Sequence, residues 1–263
     1  MGRTGKRLGA GVSVLALVIG AGACGDDDDA ANAPQDEAAA VDDGAFCDEL
    51  LAFAGGLVEH GAVGVGSPEA DLVTAGEQLD PLARALADDA PEGFATYAGD
   101  LADAVAGLLD GDATAFSSEA VVDAYPTFLD DASDTCDFDS VPIRAVDHAF
   151  EGVPPMLPAG IVKLDLSNAS LAEDHELVLL RRAEGEERPI QELLALGEGE
   201  LFATGALTTK AFTAASPGQE AGTPVELEPG RYVMVCFLPI GGAADGPALP
   251  HYTQGMVAEL TVE

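Results

Sequence analysis

The apolar residues of this chain change their spacing near Asp137, and that change limits what the chain can build. Before it, apolar positions recur every three or four residues, the period of a helix with one buried face. Cys47, Leu50, Leu51, Ala54, Leu57 and Val58 make one such stripe. After it come short β-prone runs separated by turn residues: Ile143 to Phe150, Ile161 to Leu166, Leu177 to Leu180, Tyr232 to Leu238 and Val257 to Val262. Charge breaks at the same place. Gly25 to Asp137 carries 28 acids and one base, Arg84, whereas Phe138 to Glu263 carries 19 acids and seven bases. The chain therefore reads as an α plus β protein of two domains, residues 45–137 and 138–263.

In the first of these, Ser67-Pro68-Glu69 has the chemistry of a helix start, an N-cap followed by proline and an acid, and predicts a helix to about Ala87. Pro91-Glu92 opens the next, with Phe94, Tyr97, Leu101, Val105 and Leu108 on its apolar face and Gly111 at its end. The fourth carries Val121, Val122, Tyr125, Phe128, Leu129 and Ala132, bent or delayed by Pro126. Short connections favour antiparallel neighbours, so the expectation is an up-down four-helix bundle. In that topology Cys47 and Cys136 lie at one pole and can pair, closing a loop worth about 4 to 5 kcal/mol in the chain-entropy account.

Ahead of the bundle, Arg3, Lys6 and Arg7 precede sixteen apolar or small residues, Leu8 to Ala23, four of them glycine. That is short for a membrane-spanning helix, which needs about 20 apolar positions, and has the layout of a cleaved export signal. Ala21-Gly22-Ala23-Cys24 resembles the lipobox of bacterial lipoproteins. The resemblance implies cleavage after residue 23, diacylglycerol on Cys24 and a protein tethered to the outer face of the cell membrane. Residues 24–44, with Asp26 to Asp29 at their head, read as a solvated acidic tether. A formal charge of −36 leaves too few clustered cations for a phosphate backbone, so nucleic-acid binding is excluded.

In the second half, Asn168-Ala169 followed by His175-Glu176-Leu177-Val178-Leu179 resembles the first histidine segment of cupredoxins, a turn leading into a strand. Pro229 to Cys236 and then Pro250-His251-Tyr252-Thr253-Gln254-Gly255-Met256-Val257 resemble the two sides of the ligand loop of plastocyanin- and azurin-type proteins. The resemblance spans about Ile143 to Glu263. It implies a Greek-key β-sandwich, with His175, Cys236, His251 and Met256 holding one copper ion and the ring of His251 as an exposed exit for an electron. Two imidazoles, a thiolate and a thioether are the borderline and soft donors that suit copper in both oxidation states. Metal ligation would also account for an odd exported cysteine, Cys236.

Two features depart from the family pattern. Fourteen residues, Phe237 to Pro250, separate the cysteine from the second histidine. Glu176 stands where an asparagine commonly braces the ligand loop. Each donor also has an ordinary reading on its own: Met256 as core filling, and Cys236 as a buried cysteine sharing a strand face with Tyr232 and Met234. Tyr252 reads as a packing aromatic. His60 reads as a histidine at a helix end and His148 as one on a strand surface. No G-x-S-x-G, H-E-x-x-H, C-x-x-C or phosphate-loop pattern is present, so the expectation is a non-enzyme. The leading function is copper binding and single-electron transfer with a redox partner. The alternative is a metal-free scaffold that binds a protein or small ligand at the cell surface. The lipid anchor is tested by fractionation: the parent should partition with membranes and Cys24→Ser should release the protein, whereas equal membrane retention of both would reject the anchor.

Overall fold

The computed structural model describes residues 43–61, 67–118, 121, 124–241 and 249–263. Cys24, the leader and nearly all of the tether lie outside them. Residues Val41–Glu263 form one compact unit.

The helical segment holds α1 (Asp43–His60), α2 (Glu69–Asp88), α3 (Ala95–Leu109), a 3-10 turn (Ala115–Ser117) and α4 (Tyr125–Thr135). Among the described residues, three long helices and a short fourth stand in place of four matched ones. Pro126 sits in the first turn of α4, where its missing N–H costs nothing, and so it sets the late start of that helix. Pro68, rather than Ser67, is the N-cap residue of α2. Pro91 accepts from the N–H groups of Phe94 and Ala95, so α3 is preceded by a turn at the expected proline. The apolar stripes meet in one core of Phe46, Leu50, Phe53, Leu79, Leu101, Leu108 and Phe128. A disulfide joins Cys47 to Cys136 across that core's edge.

The strand half is a two-sheet sandwich of β1 (Asp139–Val146), β2 (Ala149–Glu151), β3 (Met156–Leu157), β4 (Gly160–Asn168), β5 (His175–Arg182), β6 (Leu207–Ala215), β7 (Glu220–Leu227), β8 (Gly230–Val235) and β9 (Val257–Val262). One sheet has the order β2-β1-β4-β7 and the other β3-β9-β8-β5-β6. β1 runs parallel to β4 and β3 to β9, and the remaining pairs are antiparallel. The chain crosses between sheets from β2 to β3, β3 to β4, β4 to β5, β6 to β7 and β7 to β8. The sandwich core contains Ile143, Leu164, Leu166, Leu177, Leu179, Tyr232 and Met234.

β5 explains why its run of apolar residues does not alternate. Leu177 and Leu179 face the sandwich core, while Val178 and Leu180 face a second cluster made with Ile190, Leu193 and Leu201. Those three come from α5 (Ile190–Leu194) and α6 (Glu198–Ala203), which cover the outer face of this sheet. A strand buried on both faces loses the polar half of its pattern. β6 and β7 were not evident as strands in the sequence, because Thr, Ala, Gly and Pro blunt their β signal. They are small-residue strands because α1 packs on both of them and α4 packs on β7.

One buried cation ties α4 to the sandwich. Lys163 of β4, 4% exposed, donates to Asp130 at 2.7 Å and Asp134 at 3.0 Å, and lies 3.3 Å from Asp165. Burial opposes its charge, but the two hydrogen bonds and Asp165 outweigh burial and raise its pKa above the ordinary lysine value. Gly222 on β7 leaves room for the stem: a Cβ there would come within 3.1 Å of an Asp165 oxygen and 3.4 Å of the Lys163 Cδ. The side chains of Asp130 and Asp134 remain 55% and 70% exposed, so they rehydrate if the lysine is removed. Lys163→Met should therefore lower stability by about 1 to 2 kcal/mol in urea unfolding, less than the loss of about 3 to 5 kcal/mol expected when both partners are buried.

Candidate metal centre

Alternation along two neighbouring strands brings the first two donors together. His175 opens β5 on the face of Leu177 and Leu179, and Cys236 follows β8 on the face of Tyr232 and Met234, so both point into the sandwich. His251 begins a 3-10 turn, His251–Gln254, and Met256 directly precedes β9. All four side chains are 0% exposed.

The long segment between Cys236 and His251 does not separate them, because its two arms pair. The His251 N–H donates to the Leu238 carbonyl at 2.9 Å, and Ile240 N–H to Leu249 at 3.0 Å, with Pro239 bridged to Pro250. Tyr252 N–H donates to Cys236 at 3.0 Å, and Cys236 N–H to Met256 at 3.3 Å. The insertion therefore has a closed base, and that base sets the spacing of cysteine, histidine and methionine. Gly255 turns the chain from the 3-10 segment into Met256 at φ +108°, a conformation that strains any residue with a Cβ.

The donor atoms converge. The Nδ1 atoms of His175 and His251 lie 3.3 Å apart, and Cys236 Sγ lies 3.2 Å from His251 Nδ1. Ligand atoms of His175, Cys236 and His251 all fall within 4.8 Å of one another. Donors bound to one ion at about 2.0 Å for nitrogen and 2.3 Å for sulfur stand roughly 3.3 to 3.7 Å from each other, so these separations fit a shared metal. Met256 is placed beside them by its backbone bonds to Cys236 and His251. The donor set thus meets the chemical requirement for copper.

Three neighbours orient the donors. Asn168 donates to the Glu173 carbonyl at 2.9 Å and the Ala215 carbonyl at 2.8 Å, and accepts from Ser170 N–H at 2.9 Å, bracing the loop that leads to His175. Glu176 points to the opposite face of β5 and accepts the Phe237 N–H at 2.8 Å. This carboxylate braces the residue after Cys236 and so restrains the start of the loop. Burial raises the Glu176 pKa despite that bond, with Glu198 adding to the rise. The third is Glu173, whose carboxylate bonds His251 Nε2. With Nε2 carrying the proton toward Glu173, Nδ1 presents its lone pair to the other donors.

Glu173 was not singled out from the sequence, and His148, expected on a strand surface, stands instead in a turn beside the site. His148 lies in the turn between β1 and β2, half-buried, with its ring centroid 5.4 Å from that of His251. Together with Glu173 and His251 it makes a second group of ligand atoms within 4.8 Å. Nothing in the spacing of Asp147-His148 or Glu173-Asp174 announces this, since the meeting depends on two loops from different sheets. The structure also corrects the expectation of an exposed His251 edge: the ring is fully buried and its outer nitrogen is covered by Glu173. Tyr252 packs edge-on against Phe237 at 5.5 Å, the packing role expected of it, and His60 ends α1.

Burial pushes the Cys236 thiol up to about 11, so without a metal it stays protonated at neutral pH. Burial, and then the nearby His251, lower the pKa of His175. A neutral ring buried in this way refuses a proton that the unfolded chain accepts below about pH 6.5. The metal-free protein should accordingly lose stability as pH falls below that value, read as a lower urea midpoint. His175→Gln should lose less over the same interval, and an equal loss in both would remove His175 as the cause.

No protein-family model and no curated protein matches the sequence. Among solved structures the chain is similar to the dithionite-reduced auracyanin of Roseiflexus castenholzii, at 20% identity, covering 47% of this chain and 96% of that one, with a TM-score of 0.33. It is also similar to auracyanin A of Chloroflexus aurantiacus, described as a "blue" copper protein, at 20% identity, covering 47% and 98%, with a TM-score of 0.32. Auracyanin B aligns at 22% identity over 48% of this chain and 88% of that one, with a TM-score of 0.32.

Proposed function

We propose that the strand half binds one copper ion through His175, Cys236 and His251, with Met256 as the weak fourth donor, and that the protein carries single electrons outside the cytoplasm. The observation that carries this reading is the convergence of two imidazole nitrogens 3.3 Å apart and a thiol sulfur 3.2 Å from one of them at the buried end of the sandwich core. A copper ion held there would supply a one-electron couple. The chain's own contribution is to hold the donors at fixed separation, to exclude water and to fix the His251 tautomer through Glu173. Rigidity matters because a site that keeps one geometry in both oxidation states has little to reorganise when an electron arrives.

The rest of the reading follows from the sequence. Cys24 carries the lipid that tethers the protein to the outer face of the membrane, the acidic segment after it supplies reach, and a redox protein at that surface is the electron partner. No enzymatic step is assigned to the chain. With His251 covered by Glu173, exchange at its ring edge would need that carboxylate to move. The alternative of a metal-free scaffold drew on the insertion after Cys236; the pairing of that segment's two arms supports the copper reading by keeping the cysteine and histidine together.

Copper titration tests the proposal. One equivalent should produce an intense thiolate-to-metal absorption in the visible, and Cys236→Ser should abolish it. Met256→Leu should keep the colour and raise the reduction potential, because losing a thioether donor destabilises the oxidised ion more than the reduced one. A Cys236→Ser protein as strongly coloured as the parent would end the claim of thiolate ligation.

A further inference from the structure

Between the helices and the strand half lies a recess that the metal reading does not use. Its volume is about 820 Å³, and its walls come from α1, α3, the 3-10 turn, α4, β5 to β7, α6 and Phe237 after β8. Packing faults in protein interiors hold at most a few waters, so a space of this size is a recess open to solvent. It falls within the roughly 300 to 1,000 Å³ of small-molecule sites.

Its chemistry is unusual for this chain. The whole protein has 10 Phe, 4 Tyr and no Trp. Five of those rings, Phe116, Tyr125, Phe202, Phe212 and Phe237, line this one recess. Phe212 is 48% exposed, which leaves one ring open to a visitor from solvent. The charged lining consists of Glu176 and Glu198, with no Lys, Arg or His among the described lining residues. Among the described residues neither carboxylate has an ion-pair partner, and Glu198 already acts on Glu176 by like-charge repulsion.

From these features we infer that the recess binds a lipophilic organic cation, a molecule with a bulky apolar body and one permanent positive charge. Each part of such a molecule meets a matching surface. The apolar body covers the aliphatic side chains of α1, including Leu57 and Val58. The ring faces attract the cation through their negative centres. Glu198, with Glu176 behind it, supplies a counter-charge where the protein offers none. An anion of the same size is repelled by both carboxylates and by a chain of net charge −36, and a neutral body leaves the carboxylates uncompensated. Such a binding function is separate from the metal reading, since no metal donor lines the recess.

The test uses two probes of one shape and opposite charge, tetraphenylphosphonium and tetraphenylborate, titrated calorimetrically into the full chain without metal. The phosphonium should bind at one site per chain and the borate should not. Glu198→Gln should weaken phosphonium binding by about three- to fivefold, the effect of losing one solvent-facing charge contact at the rim of the recess. Glu198→Asp, which keeps the charge, should recover most of that loss, and Glu184→Gln, an exposed carboxylate outside the recess, should change affinity by less than about twofold. Equal binding of the borate, or of the phosphonium to parent and Glu198→Gln, would overturn the inference. Neither result would touch the copper titration, which reads Cys236.

Discussion

Two imidazoles and a thiol are pressed together at one end of an apolar sandwich, and what keeps them there is the backbone pairing beneath them. Cys236 exchanges backbone contacts with both Met256 and Tyr252, and His251 with Leu238. These bonds continue the β8–β9 pairing beyond the last regular residue of β8. The donors are therefore set by main-chain geometry, and their side chains have little left to decide. A buried polar group without a partner is costly, and His175 Nε2 is one such atom. A group of this kind is tolerated where chemistry requires it. The same restraint explains how the segment after Cys236 can lengthen without moving the site.

The surroundings of the donors divide by strand face. On β5, His175 faces inward and Glu176 outward, and after β8 Cys236 faces inward while Phe237 faces outward. One residue of register thus separates the metal candidates from the lining of the recess under the helices. The bond from Phe237 N–H to Glu176 connects the two faces. Glu173, on the far side, closes the His251 ring from solvent. A donor set walled on both sides is protected from water, which keeps its electrostatics strong and its geometry constant.

The helical layer is joined to the sandwich by contacts that need both halves. Lys163 reaches from β4 to two acids one turn apart on α4, and small residues on β6 and β7 let α1 lie close. Small side chains at a covered sheet face let backbones approach, and a cation among acids resists the repulsion that a strongly acidic helical segment would otherwise exert. The disulfide between Cys47 and Cys136 ties the ends of that segment, so α4 is held both covalently and by charge.

Much of this was legible in the sequence where a local pattern carries it. Period distinguished helices from strands, proline marked the starts of α2, α3 and α4 and Gly111 the end of α3, and the resemblance carried by the segments around His175, Cys236, His251 and Met256 implied the candidate donor set. β6 and β7 escaped because Ala, Thr and Gly carry little strand signal by themselves, and their identity as strands comes from what packs on them. Glu173, His148 and the ring-lined recess escaped for a related reason: each is a meeting of side chains from loops or layers far apart in the chain. Local order follows from spacing along the backbone and so can be read from residues alone. Which ring is covered, which carboxylate caps it and how a long insertion closes depend on contacts between distant segments, and only the folded chain decides those.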